Sequence, residues 1–120
     1  MPQLLIIDDS VEIHKLMKFW LKKDNFEIIS AFDGQSGFKQ AVKVVPDVIL
    51  IDVIMPDTDG FEVCKRLKSN ADLKKIPIII ITASYLNVVE KKSSLKAECI
   101  LLKPYELKDL LSNVKKYISS

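Results

Sequence analysis

The chain of 120 residues contains two cysteines, three glycines, one histidine, one tryptophan and a single arginine, Arg66. Each scarcity excludes something. Cys64 and Cys99 have neither metal-type nor redox-type spacing, so no zinc site or disulfide framework is expected, and both are read as reduced core or near-core residues. The glycines, Gly34, Gly37 and Gly60, form neither G-x-x-x-x-G-K nor G-x-G-x-x-G, so nucleotide binding has no motif support. Seventeen of the 18 basic residues are lysine, the less suitable residue for reading base edges. Net charge is only +2, and no basic stripe marks a nucleic-acid surface. The lysine pairs at 22–23, 74–75, 91–92 and 115–116 read as solvated helix ends. Apolar runs are strand-sized, as in IPIIII. None nears the roughly 20 residues of a membrane span. The opening MPQLLIIDD lacks a basic region and a small-residue cleavage site; it does not read as a signal peptide, and a cytoplasmic location is expected.

What is present is an ordinary globular balance, 48% apolar and 28% charged, at a length that suits one domain with one core over residues 1–120. Strand and helix patterns alternate five times. Strands are expected at Gln3–Ile7, Glu27–Ala31, Val48–Ile51, Ile78–Ile81 and Ile100–Leu102. The first helix, about Val11–Lys23, carries Ile13, Leu16, Met17, Trp20 and Leu21 at helical spacing. The second, Gly34–Val45, places Phe38, Ala41, Val42 and Val45 on one face. The third, Gly60–Ser69, turns Phe61, Cys64 and Leu67 inward. A fourth, within Leu86–Lys96, has a poor pattern. The fifth, Glu106–Ile118, carries a stripe of Leu107, Leu110, Leu111, Val114 and Ile118. His14 falls off the apolar face of its helix and is expected at the solvated surface. Strands one, three and four are nearly continuous Ile, Leu and Val, as in a parallel sheet covered on both faces. Strand two reads as an edge. The fold class is therefore α/β, a doubly wound five-stranded parallel sheet.

Four strands end on residues suited to handling phosphate: Asp8 and Asp9 after the first, Asp52 after the third, Thr82 after the fourth, Lys103 after the fifth. In an open parallel sheet, sites form beyond the carboxyl ends of the strands. Strand two ends in Ser30-Ala31 and offers little chemistry. The order 2-1-3-4-5 keeps the four chemical strands adjacent, whereas 3-2-1-4-5-6 would split them. Three converging carboxylates repel and demand a counter-ion. A hard cation with oxygen ligands satisfies them, and Mg²⁺ fits best because it takes one or two carboxylates, waters and substrate phosphate. Lys103 can neutralise phosphate, Thr82 can donate to a phosphate oxygen, and an aspartate carboxylate is an accepted nucleophile for phosphoryl transfer. Asp57 and Asp59 read as turn residues before the third helix.

With I-I-D-D-S at 6–10, L-I-D-V-I-M-P-D-T-D-G at 50–60, I-T-A at 81–83 and K-P-Y at 103–105, the chain resembles the receiver domain of two-component response regulators over essentially its whole length. Each motif alone is common; all four in order, each after a strand, are highly specific. The resemblance implies a flavodoxin-like fold, Asp52 as phosphoacceptor, and Mg²⁺ held by Asp9, by Asp52, by the backbone carbonyl of Ile54 and by Asp8 mainly through water. It places Thr82 and Lys103 on the phosphoryl oxygens and a cis bond before Pro104. It departs from the family at Ile100, where a rotating Tyr or Phe is common, and at Lys96-Ala97, where Gly-Ala is usual. Tyr105 matches a different aromatic position. A branched aliphatic side chain has no polar tip and few rotamers, so the signal is expected to pass through Thr82 and residues 83–96, with Ser84 and Tyr85 in reach.

The expected function is a phosphoacceptor switch in a phosphorelay. Asp52 takes a phosphoryl group from a histidine kinase, from a histidine phosphotransfer protein or from a small phosphodonor, and a downstream protein reads the changed surface. With one histidine, the chain is a poor phosphohistidine carrier, so the donor lies elsewhere. It is not expected to be an enzyme on a separate substrate, although it should catalyse its own phosphorylation and a slow autodephosphorylation. No DNA-binding module follows Ser120 in this sequence, so direct nucleic-acid contact is not expected, and neither is a membrane. The alternative is a phosphorylation-independent, receiver-like binding module, which Ile100 favours and the complete acidic set opposes. Aspartyl-phosphate phosphohydrolases carry D-x-D-x-T after the first strand, which Asp8-Asp9-Ser10-Val11-Glu12 does not match.

Overall fold

A computed structural model describes residues 2–55, 58–82, 99–102 and 106–118. Five strands, β1 (Gln3–Ile7), β2 (Glu27–Ala31), β3 (Val48–Asp52), β6 (Ile78–Thr82) and β7 (Cys99–Leu102), form one parallel sheet in the order β2-β1-β3-β6-β7. Counted without a short antiparallel ladder of β4 (Ile54–Met55) against β5 (Thr58–Asp59), this is 2-1-3-4-5, the order the chemistry required. All five residues of β3 and of β6 are buried, as expected for strands covered on both faces. The edge strand β2 is buried only at Ala31.

Because side chains alternate along a strand, the sheet feeds two cores. Leu5, Ile7, Ile49, Ile51, Ile78 and Ile80 pack with helices α2 (Gly34–Val44) and α3 (Gly60–Ser69). Leu4, Ile6, Leu50, Ile79 and Ile81 pack with α1 (Val11–Leu21) and the C-terminal helix, Leu107–Ile118. The caps follow composition. Asp33 at the start of α2 accepts from the Ser36 amide at 2.8 Å. Asp59 at the start of α3 accepts from the Phe61 amide at 2.9 Å, the turn role expected of it. Such a cap satisfies an amide with no partner inside the helix.

Three helical expectations need correction. The first helix ends at Leu21 and tightens into a 3-10 turn, Lys22–Asp24, closed by Asn25 in a left-handed conformation. On α1 the buried stripe is His14, Met17 and Leu21, while Leu16 and Trp20 are exposed. On α2 the buried positions are Gly34, Gly37 and Ala41, whereas Val42 and Val45 are exposed. The reason for the second rotation is close approach. A Cβ on Gly37 would stand 2.5 Å from Ile7 Cδ1, so glycine lets α2 settle onto β1 and turns the valines outward. In α3, Phe61, Cys64 and Leu67 are buried as expected, and Cys64 forms no disulfide among the described residues. Leu110 and Val114 of the C-terminal helix are buried. The expected fourth helix, Leu86–Lys96, lies outside the described residues, as do Asp57, Lys103, Pro104 and Tyr105.

A candidate acidic phosphoryl and metal site

Strand register builds the site. In β1 and β3, Ile7 pairs with Ile51, so the next residues, Asp8 and Asp52, stand side by side at the carboxyl edge of the sheet. In β3 and β6, Asp52 pairs with Ile81, which puts Thr82 one residue further out. The Val53 amide donates to the Ile81 carbonyl at 3.1 Å and holds the exit of β3 against β6. The outcome is one cluster: carboxylate oxygens of Asp8, Asp9 and Asp52 all lie within 4.8 Å of one another. Asp8, Asp52 and Thr82 are buried and Asp9 is exposed. The structure thus brings together three of the residues singled out in sequence, Asp8, Asp9 and Asp52, and sets a fourth, Thr82, at the end of the neighbouring strand. The fifth, Lys103, falls outside the described residues, and Ile54 enters through its position in the ladder, paired with Asp59.

Asp8 has a turn role as well. Its Oδ1 accepts from the Ser10 amide at 2.9 Å, and its own amide donates to the Ala31 carbonyl at 3.1 Å. Gly60 supports the far side. A Cβ there would collide with the backbone Cα of Val53, so the start of α3 can press against the residue that follows Asp52. Such close backbone approach is a use that only glycine serves.

The donor set matches a hard divalent cation. It offers only oxygen, from two buried carboxylates and one solvent-facing carboxylate, within a span that one ion can bridge. That leaves room for water and a phosphate oxygen, the coordination Mg²⁺ prefers. Ile100 is partly buried against the α2–α3 core.

Sequence reasoning missed His14 and Ser30. His14 is 2% exposed, not solvated. Its Nε2 lies 2.8 Å from the Asp8 carbonyl oxygen and its Nδ1 lies 2.9 Å from Ser30 Oγ. Its ring centroid is 4.4 Å from that of Phe32. Ser30, at the end of a strand expected to contribute little, is that second anchor. The available signal was spacing: His14, Met17 and Leu21 form an i, i+3, i+7 stripe as regular as the one read from Ile13 and Leu16.

Residues 4–115 match the family model of the response regulator receiver domain. A similar characterised protein is the DNA-binding dual master transcriptional regulator RpaA of a Synechocystis species, 34% identical over 118 residues, 96% of this chain and 48% of that protein. The chain thus spans about half the length of that relative. Among solved structures, the signal receiver domain of a signal transduction histidine kinase from Syntrophus aciditrophicus is similar with a TM-score of 0.90 at 29% identity, covering 99% of this chain and 91% of that one. The response regulator protein TrrA of Thermotoga maritima, in complex with Mg²⁺-BeF, is similar with a TM-score of 0.84 at 28% identity, covering 98% of this chain and 99% of that one. Among the described residues, no helix is long and apolar enough to cross a membrane.

Proposed function

The chain belongs to the response regulator receiver domain family, and from that premise we propose that Asp52 is its phosphoacceptor, that residues 1–120 act as one receiver unit, and that Mg²⁺ occupies the acidic cluster. The observation that carries this is the convergence of Asp8, Asp9 and Asp52 carboxylates within 4.8 Å at the carboxyl edge of the sheet. Asp9, Asp52 and the Ile54 carbonyl would hold Mg²⁺ directly, and Asp8 through water. When bound, the ion supplies positive charge that offsets the acidic cluster and the incoming phosphoryl oxygens.

The remaining chemistry belongs to the chain. An Asp52 carboxylate oxygen attacks phosphorus, forming an acyl phosphate. The bond from phosphorus to the donor's imidazole nitrogen breaks, and that nitrogen keeps the electron pair. The donor is a phosphohistidine on a histidine kinase or phosphotransfer protein, and a small acyl phosphate can replace it. Thr82 donates its hydroxyl hydrogen to a phosphoryl oxygen, and Lys103 neutralises another. Little covalent work falls to the protein, so positioning and charge supply most of the rate. Water attacking the same phosphorus returns Asp52 to its free form, a slow autodephosphorylation. The reading includes a cytoplasmic setting and a downstream protein that recognises the surface around residues 86–96, β7 and the C-terminal helix. With Ile100 in place of a rotating aromatic, the change runs through Thr82 into residues 83–96.

Intact-mass measurement after incubation with acetyl phosphate and Mg²⁺ tests the assignment. Wild type gains one phosphoryl group and Asp52→Asn gains none. Lys103→Ala loses most of the labelling while keeping Mg²⁺ binding. Equal labelling of Asp52→Asn would remove Asp52 from this role.

A further inference from the structure

His14 is the buried titratable group that this chemistry leaves unused. Imidazole in an apolar core is unfavourable unless its nitrogens are hydrogen-bonded, and a Leu would fill the His14–Met17–Leu21 stripe without that demand. The partners define what the ring does. A carbonyl oxygen can only accept, so the bond to the Asp8 carbonyl places a hydrogen on Nε2. In the neutral ring Nδ1 is then the acceptor, and the Ser30 hydroxyl donates to it. Phe32 lies against the ring.

Both backbone groups of Asp8 are therefore tied to the end of β2. The amide binds the Ala31 carbonyl directly, and the carbonyl is bound through His14 to Ser30. This fixes the peptide plane that joins Asp8 to Asp9. Asp9 needs that restraint because it is exposed, with little packing to orient its carboxylate. We propose that His14 is a positioning residue, whose Nε2–H holds the Asp8 carbonyl and thereby sets the Asp8–Asp9 main chain in the geometry that metal binding requires. The inference rests on reading the acidic cluster as a Mg²⁺ site.

Three variants test it by titration calorimetry with Mg²⁺ alone, together with hydrogen exchange of the Asp8 and Ser10 amides in the metal-free protein. His14→Leu removes the donor and should weaken Mg²⁺ binding about tenfold, the size expected on losing an outer partner of a metal site, with faster exchange at both amides. His14→Gln keeps an amide N–H that can reach the Asp8 carbonyl and should recover most of the affinity, which a purely packing role would not. Ser30→Ala leaves the ring but frees its second anchor and should weaken binding in the same direction, by less. Should the Leu variant fail to fold, the Ser30→Ala and Gln pair carries the test. Wild-type affinity and unchanged exchange in folded His14→Leu, or in Ser30→Ala if the Leu variant is lost, overturn the proposal. A wild type that binds no Mg²⁺ overturns the metal-site reading instead. The exchange comparison then still decides whether His14 holds the Asp8–Asp9 main chain.

Discussion

Asp52→Asn keeps the shape of the side chain and removes one of three like charges, so it should stabilise the metal-free protein. The magnitude follows from the geometry. Asp8 and Asp52 are 4% and 5% exposed, with carboxylate oxygens no more than 4.8 Å apart. Two unit charges at that separation repel by about 3.5 kcal/mol at an effective dielectric near 20. Asp9 is exposed, so its repulsion with Asp52 is nearer the water value of about 1 kcal/mol. Asp52 also makes other interactions that offset part of this, and an amide retains those that need only an acceptor oxygen. A net gain of about 1–3 kcal/mol is expected, and at about 4 °C per kcal/mol for a domain of this size Tm should rise by about 4–12 °C. Thermal melts in chelator and in Mg²⁺ read this directly. A ligand at one hundred times its Kd stabilises the folded state by about 2.7 kcal/mol. Saturating Mg²⁺ should therefore raise wild type strongly and the variant, short of a ligand, much less, closing or reversing the gap. Asp8→Asn should move in the same direction without metal, because its amide oxygen can still accept from Ser10. If the Asp52 variant melts no higher than wild type in chelator, or if Mg²⁺ raises both equally, the like-charge account of the site is wrong.

Two further substitutions probe the frame. Gly60→Ala places a Cβ against the Val53 backbone, a clash that only a main-chain shift beside Asp52 can relieve. Overpacking of this kind destabilises by about 1–3 kcal/mol, so a lower urea midpoint is expected together with reduced acetyl phosphate labelling; wild-type values for both would show that the contact yields freely. Val45 closes α2 at φ 50° and ψ 70° and is 49% exposed. A β-branched residue is strained there, and the left-handed conformation is disfavoured by about 1–2 kcal/mol for L-residues, whereas glycine adopts it freely at a backbone entropy of about 0.5–1 kcal/mol. Val45→Gly should raise stability by about 0.5–1 kcal/mol in urea unfolding, and a loss would mean that the valine side chain packs better than its exposure implies.

The sheet was legible because its information is local and repeated. Continuous aliphatic runs specify strands buried on both faces, and the limits expected for β1 and β2 are the observed ones. The acidic cluster was legible because strand ends in a parallel sheet share one edge, so Asp8, Asp9 and Asp52 could be placed together, with Thr82 at the same edge, from sequence positions alone. Helix faces were less secure. Periodicity fixes a stripe only to within the width of its apolar residues, and both α1 and α2 carry more of these than they bury. Which ones turn inward depends on how closely a helix can approach the sheet, and at α2 Gly37 decided that by admitting Ile7. The short β4–β5 ladder left no periodic trace, since two residues cannot display a period. His14 shows the limit most directly. Its partners lie 6 and 16 residues away, and neither is apolar. A rule that sorts residues by hydrophobicity sends a lone histidine to the surface. Only the packing of α1 across the ends of β1 and β2 supplies an acceptor carbonyl and a donor hydroxyl at the two ring nitrogens, and those two bonds make its burial favourable.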